Sequence, residues 1–494
     1  MTPRIVIAGT SSGVGKTTVT VGLAGALRKR GLRVAAFKCG PDYLDPTYHM
    51  RAADAPCHNL DGWMMGREGV VATFQRASQG ADVALIEGVM GLFDGASPTG
   101  EDGSTAEIAK WLRAPVLLVC DASGMARSVQ ALARGFATFD ADLHVAGLVC
   151  NRVGSRGHLD LLREGIGNLL PMVGGLPEVR ALVFPERHLG LRTADRAAVP
   201  QRVFTAWAER AAEWLDVDTI LAIARAAGPL PEVPAEDRTD QGGPRARIGL
   251  ALDEAFHFYY DDNLRRLEGL GAELVPFSPV HDPRLPDVDG LYFGGGYPEV
   301  HAEALSRNTG MLGAIAAFAA NGGPIYGECG GLMYLCNAIR TTDGRLHSMV
   351  GIIPGVARMR VDLHALGYVE VVTLDATVLG PPGSHFRGHQ FRYSDFQLET
   401  DVDQVYTVRR HRDGALFREG YRVGNTLASY VHAHWASNPL VARGLVDTCV
   451  AHATRRLAAV HLGRSPDLGA LRLEAGWSPP RDAGGRSPRR RARS

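Results

Sequence analysis

The first half of the chain alternates short apolar runs with longer stretches whose apolar positions recur at helical spacing. Strands are expected at Ile5–Ala8, Arg33–Phe37, Val83–Ile86, Val116–Cys120, Val145–Cys150 and Met172–Gly174. Between them lie helical patterns near 16–30, 105–113, 127–138 and 157–169, and a helix over 204–225 closes this half. Strands and helices alternating at this length predict a parallel sheet covered on both faces. Residues 227–244 are rich in Pro, Gly and acid and read as a linker. Apolar runs then resume at Ile248–Leu252, Glu273–Pro276, Gly290–Phe293 and Pro324–Tyr326, followed by a β-rich stretch from 351 to 431. The pattern is that of two α/β domains, 1–226 and 245–465, joined by the linker and followed by a Pro-, Gly-, Ser- and Arg-rich tail, 466–494, expected to be disordered.

Composition narrows the function classes. The formal net charge is zero and the sequence pI is about 7.3, so no nucleic-acid surface is expected. The seven cysteines are scattered without CxxC spacing, which argues for a reduced, cytoplasmic protein rather than a disulfide scaffold. No run approaches the ~20 apolar residues of a membrane span. The chain opens on a strand, without the pattern of a secretory leader. Small-molecule substrates are therefore expected, with no nucleic acid and no membrane as partners; a homodimer is one option for assembly.

The strand Ile5–Ala8 runs into Gly9-Thr-Ser-Ser-Gly13-Val-Gly15-Lys16-Thr17-Thr18. A strand entering a glycine-rich turn, a lysine and hydroxyls is a phosphate cradle: backbone N–H groups face the anion, Lys16 reaches the terminal phosphates of ATP, and Thr17 offers a hydroxyl to Mg²⁺. Thr10 stands where the usual pattern has its first glycine, and a turn that merely caps the following helix is the alternative. The chain has four lysines (Lys16, Lys29, Lys38, Lys110) among 53 basic residues, so a lysine kept in such a turn looks chemically chosen.

Acidic segments follow two later strands, Lys38-Cys-Gly-Pro-Asp42-Tyr43-Leu-Asp45-Pro and Glu87-Gly-Val-Met-Gly-Leu-Phe-Asp94-Gly. Ligands of an open parallel sheet collect at the carboxyl ends of its strands, so Asp42, Asp45, Glu87 and Asp94 are expected to converge beside the phosphates, with Glu87 as the metal-side acid. Lys38 supplies a second point charge for phosphate or a substrate carboxylate. Turn chemistry alone is the alternative for each acid. Asn151, ending another strand, is a candidate for the adenine edge or a polar strand cap, and Pro185–Gly190 is a candidate loop over the nucleotide.

In the second half, Gly327-Glu-Cys329-Gly330-Gly331 has the shape of a nucleophile elbow, and a helix N-terminus behind it would favour the thiolate. On a strand, Tyr430, His432 and His434 share a face, offering a base and a residue to orient it. Zinc held by Cys329 and both histidines is one alternative, and satisfied core histidines another. The turn Phe293-Gly-Gly295-Gly-Tyr-Pro-Glu299 offers N–H groups for an oxyanion hole.

The segments GTSSGVGKTT, KCGPDYLDP, LIEGVMGLFDG, NRVGS, PERHLG, FGGGYPE, YGECGGLMYL and ASYVHAHW occur in this order over residues 1–460. Together they closely resemble the cobyrinate (or hydrogenobyrinate) a,c-diamide synthases of cobalamin biosynthesis. The resemblance implies an N-terminal P-loop domain like dethiobiotin synthetase and a C-terminal class I glutamine amidotransferase domain of the cobyric-acid-synthase type. It implies ATP-dependent, glutamine-hydrolysing amidation of a corrinoid acid through an acyl phosphate, with Mg²⁺. Cys329 becomes the nucleophile and His432 its base. His434 stands where class I enzymes carry a glutamate. Asp45, Glu87 and Asp94 fall on positions tied to metal, ATP or corrinoid carboxylate; Asp42, Tyr43, Gly295 and Gly330 join the substrate-binding set. In Gly388-His-Gln-Phe-Arg-Tyr-Ser394 the family pattern implies Glu and His where Gln390 and Arg392 stand. The rival readings are amidation of another tetrapyrrole, such as nickel sirohydrochlorin, and a regulatory P-loop ATPase with a degenerate second module.

Overall fold

A computed structural model describes residues 2–179, 182, 184, 199–233 and 245–461. The proposed nucleotide loop at 185–190, most of the linker (234–244) and the tail lie outside these residues. Both sheets belong to one compact unit, Met1–His452.

The first sheet holds β1 (Arg4–Gly9), β2 (Val34–Cys39), β3 (Cys57–Leu60), β4 (Val83–Glu87), β5 (Val116–Asp121), β6 (Val145–Val153) and β7 (Met172–Pro177). Their order is β3-β2-β4-β1-β5-β6-β7, and every pairing is parallel. Strands buried on both faces need apolar residues at every position, which is why they read as continuous runs. β1 shows the division: Ile5 and Ile7 enter one core, Val6 and Ala8 the other. The expected strands are all present.

Four elements depart from the expected pattern, one of them the unexpected helix Asp45–Ala53. β3 carries His58 and Asn59 in only four residues and gives no apolar run. The helix Gly62–Ala77 is broken by Gly66 at φ 67°, which interrupts its period. The single helix expected over 204–225 is two, Gln201–Trp214 and Val217–Arg225; Asp216 caps the second by accepting the Thr219 N–H at 3.0 Å.

The second half forms β8 (Ala246–Ala251), β9 (Ala272–Phe277), β10 (Gly290–Phe293), β11 (Ile325–Glu328), β12 (Cys336–Arg340), β13 (Leu346–Ser348), β14 (Ile353–Met359), β15 (Ala365–Thr373), β16 (His385–Arg392), β17 (Ser394–Leu398), β18 (Asp403–Arg410), β19 (Leu416–Val423), β20 (Thr426–Ser429) and β21 (His432–His434). A ten-stranded sheet runs β21-β16-β15-β18-β19-β20-β11-β10-β8-β9. Its β20-β11-β10-β8-β9 end is parallel and the remainder is an antiparallel wing. A small sheet, β13-β12-β14-β17, stands apart. The carboxyl ends of β10, β11 and β20 are neighbours. This brings the Gly294–Gly296 turn, Cys329 and the chain leading to His432 to one edge.

Candidate functional site

The turn after β1 adopts the conformation its glycines allow. Gly13 and Gly15 have φ of 78° and 96°, and the helix Lys16–Lys29 starts directly behind them. Gly15 is required twice over, because a Cβ there would lie 2.0 Å from the Asn151 amide nitrogen. Lys16 is buried; its Nζ donates to the Ser11 and Met90 carbonyls. Thr17 Oγ1 donates to Glu87 Oε1 at 2.9 Å. Thr18 follows within the first helical turn.

Lys38 leaves β2 beside the same acid. Its Nζ is 3.6 Å from Asp45, 3.9 Å from Glu87, and donates to the Gly88 carbonyl at 3.0 Å. His49 Nε2 lies 2.5 Å from Glu87 Oε2. Burial alone would push Glu87 up, but His49, Lys38 and Thr17 outweigh it and hold the carboxylate below its usual range. Burial also opposes the charge on Lys38, yet Glu87, Asp45 and Asp42 raise its pKa. The site is thus a buried, charge-paired cluster at the carboxyl ends of β1, β2 and β4.

Two expectations need correction here, and Asp42 has a second task. Asp94 does not join the cluster: it is exposed, and its carboxylate closes its own turn by accepting the Gly91 N–H at 2.9 Å. Asp42 uses Oδ1 to cap the next helix, accepting the Leu44 and Asp45 N–H groups at 2.8 and 3.1 Å. Asn151 is a brace: its amide donates to the Val14 carbonyl at 2.8 Å from a buried position beneath the glycine turn. Arg152 shares that task through the Gly13 carbonyl at 2.9 Å and an ion pair with Asp121.

In the second half, Cys329 is the sole residue of its elbow with strained backbone, at φ 50° and ψ −99°, between β11 and the helix Gly330–Leu335. Its N–H donates to the Ser429 carbonyl at 2.7 Å, tying β11 to β20. The Gly294–Gly296 turn lies against both partners. A Cβ on Gly330 would sit 3.1 Å from the Gly296 nitrogen, and one on Gly295 would sit 2.4 Å from His432 Cε1. Only backbone fits between the elbow and the histidine, as an oxyanion hole needs.

The expected thiolate is not the resting form. Burial pushes the Cys329 thiol up to about 12, with Glu299 adding to the rise while Arg392 and the Gly330 N–H oppose it. Burial likewise pushes His432 down to about 3, so its imidazole is neutral and able to take a proton. His434 is not beside His432 as an orienting partner. Its ring packs 4.6 Å from Tyr260, and burial holds it down at about 4 against the opposing pull of Asp262. The ring stacked on His432 is His389, at 4.9 Å and 19°, and Tyr260 Oη lies 3.0 Å from His389 Nδ1. The carboxylate of Glu328, next to the nucleophile, accepts the Ala433 N–H at 3.1 Å and the Tyr326 hydroxyl at 2.8 Å, fixing β21. Among the described residues no three His, Cys, Asp or Glu side chains are grouped as a metal cluster, so the zinc alternative has no donor set.

The two sites meet at Tyr43. From the loop carrying Asp42 and Asp45, its ring stacks on Phe258 (4.9 Å, 7°) and lies 5.2 Å from His432. Around it, Tyr368 donates to Asp61 at 2.7 Å, Arg387 to the Trp63 carbonyl at 2.8 Å, and Arg76 pairs with Asp262 at 2.7 Å.

Residues 5–190 match a CobQ/CobB/MinD/ParA nucleotide binding domain, and residues 247–440 a CobB/CobQ-like glutamine amidotransferase domain. The chain is 52% identical over 450 residues to a cobyrinate a,c-diamide synthase of Leptospira interrogans, covering 91% of this chain and 98% of that protein. It is 49% identical over 453 residues to one of Syntrophotalea carbinolica, covering 90% and 98%. The chain belongs to the cobyrinate a,c-diamide synthase family. Among solved structures, PurLQS from Thermotoga maritima is 16% identical over 42% of this chain and 99% of that one, at a TM-score of 0.32, a likeness that carries no argument. Membership settles the class in favour of a ligase with a nucleotide-binding and a glutamine amidotransferase module, and excludes the regulatory ATPase. No described helix is long and apolar enough to cross a membrane.

Several members of the two sites had no sequence signal of their own. Arg152 stands inside NRVGS and His389 inside the 388–394 segment, while His49 follows KCGPDYLDP on the helix Asp45–Ala53; each gained its role only when the fold brought its partner near. Glu328 and Glu299 stood inside the motifs, and their burial was the missing information.

Proposed function

We propose that the chain amidates the a and c side-chain carboxylates of cobyrinate or hydrogenobyrinate, using ATP to activate the acid and glutamine as nitrogen source. A carboxylate oxygen of the corrinoid attacks the γ-phosphorus of ATP, giving an acyl phosphate and ADP. Lys16 and Lys38 hold the charge that develops on the transferring group, and the N–H groups of the glycine turn fix its position. The hydroxyl of Thr17 and the carboxylates of Glu87 and Asp45 form an oxygen donor set of the kind that suits Mg²⁺ with phosphate; the Thr17–Glu87 hydrogen bond already brings two of them to one point. Bound there, the ion would neutralise phosphate charge.

In the second site His432 takes the thiol proton as Cys329 Sγ attacks the glutamine amide carbon. The oxyanion meets backbone N–H groups of the Gly294–Gly296 turn, His432 returns the proton to the departing ammonia, and water cleaves the thioester to glutamate. Ammonia attacks the acyl phosphate carbonyl, the C–O bond breaks, and phosphate leaves as the amide forms. Tyr43 supports this reading most directly. One loop supplies Asp42 and Asp45 to the first site and a ring packed on the base of the second, so ammonia can pass sheltered from water and stay unprotonated.

The test is Cys329→Ala. Amidation driven by glutamine is expected to vanish while amidation driven by added ammonia persists near the wild-type rate, with products weighed by mass spectrometry. Loss of both would overturn the two-site mechanism.

A further inference from the structure

Two groups of opposite sign, Glu299 and Arg392, act on the Cys329 thiol, and among the described residues neither has an ion pair. Arg392, at the end of β16, lies over the Tyr430 ring at 4.1 Å. One of its terminal nitrogens reaches the Ser394 carbonyl at 3.3 Å, and its Nε is buried without a hydrogen-bond partner. Ser394 and Tyr430 share a 2.9 Å hydrogen bond, and Ser394 also touches Met333, whose N–H bonds the Cys329 carbonyl at 3.2 Å. Arg392 therefore belongs to the wall of the nucleophile pocket. On the opposite side, Pro298 abuts the elbow: a Cβ on Gly330 would lie 3.0 Å from its Cδ. The next residue is Glu299, whose carboxylate accepts from its own backbone N–H, and burial pushes it up to about 7. Glu299 and Arg392 pull the thiol in opposite senses, so both stand within electrostatic reach of the sulfur.

Buried Asp262, by contrast, is paired with both Arg76 and Arg266. Here no ion pair joins Glu299 to Arg392 among the described residues. Two half-buried groups of opposite sign held apart remain uncompensated until a ligand brings the complementary charges. The one small molecule this pocket must accept is an α-amino acid with a reactive side-chain amide.

We propose that Glu299 and Arg392 clamp the head group of glutamine. The Glu299 carboxylate takes the α-ammonium, the Arg392 guanidinium takes the α-carboxylate, and the side-chain amide is left extended toward Cys329. This rests on the glutaminase reading above. It also gives Arg392, a departure from the family pattern, a task its fixed fork suits.

The experiment compares two alkylating probes on full-length protein: 6-diazo-5-oxo-norleucine, which carries the amino-acid head group, and iodoacetamide, which does not. Their rate ratio at Cys329, followed by mass spectrometry, cancels changes in thiol reactivity. Glu299→Gln and Arg392→Met are each expected to lower that ratio by about tenfold to a hundredfold, the loss of one charge-assisted hydrogen bond. Arg392→Lys is expected to recover part of it, and ammonia-driven amidation is expected to be unchanged in all three. An unchanged ratio in Glu299→Gln or Arg392→Met would overturn the clamp while leaving the glutaminase intact. A wild-type protein that the diazo probe does not label would overturn both. A measurement needing no variant is hydrolysis of glutaramate, which is glutamine without its α-ammonium. The wild type is expected to disfavour it by about tenfold or more in kcat/KM; equal turnover would overturn the clamp.

Discussion

The nucleotide site and the glutamine site are both buried at the carboxyl ends of parallel strands, yet they manage charge in opposite ways. Around Lys38 the ionic groups satisfy one another: Glu87, Asp45 and His49 lie within 4 Å contacts of the lysine or of its partner acid. Around Cys329 the working groups are neutral, a thiol held up and an imidazole held down by burial. The first arrangement is ready for a polyanion that arrives fully charged. The second keeps its nucleophile protonated until an amide is in place, which limits wasteful reaction with other electrophiles. The same physical agent, burial, produces both; the difference lies in whether compensating charges were built in beside it.

Removing Lys16 should break the comparison most sharply. Lys16→Met is expected to lower amidation with either nitrogen source by about a thousandfold or more, while glutamine hydrolysis survives in an assay of released glutamate. Full amidation in that variant would remove the lysine from the phosphoryl step. Next in size is Gly295→Ala, whose new methyl would press on the His432 ring. Glutamine-driven turnover is expected to drop about a hundredfold with ammonia-driven turnover intact. Equal loss in both assays would place the damage outside the second site.

Acid should separate the two sites by pH. His432 and His434 have folded pKa values lowered to about 3 and about 4, and His389 is well below its usual value. Between the unfolded value near 6.5 and those folded values, the unfolded chain binds protons that the folded one refuses. Stability is therefore complete above pH 6.5 and falls as pH drops toward 4, by on the order of 3 kcal/mol for His434 alone. Glu87, also lowered, is lost only below the ordinary carboxylate range. Thermal melts from pH 7 to 4 should show an early decline that His434→Gln makes shallower; a flat profile would contradict neutral buried histidines. The smallest effect is expected at the seam. Tyr368→Phe removes one hydrogen bond from buried Asp61 and should cost about 1 kcal/mol in denaturant unfolding.

Much of this was legible in the chain. The continuous apolar runs specified β1, β2 and β4 to β7, because a strand covered on both faces leaves no polar position. GVGKTT and GECGG specified their turns, since left-handed or strained backbone beside a functional side chain restricts the neighbours to glycine. What failed to show was contact at long range. Asp94 sat in a motif as acidic as that of Asp45, and only the course of its loop left it exposed. Asn151 had the chemistry of a base reader, and only the approach of the glycine turn made it a brace.

The sequence by itself determined a parallel-sheet first half, a second α/β half, the phosphate turn with Lys16 and the elbow with Cys329, because each rests on local backbone geometry and the period of apolar residues. The tertiary structure alone decided that Tyr43 touches His432, that His389 rather than His434 stacks on that base, and that Glu299 and Arg392 act on the thiol in opposite senses. Those facts depend on residues far apart in the chain meeting in a dry interior, and on how burial there shifts their charge, neither of which is encoded in any short stretch.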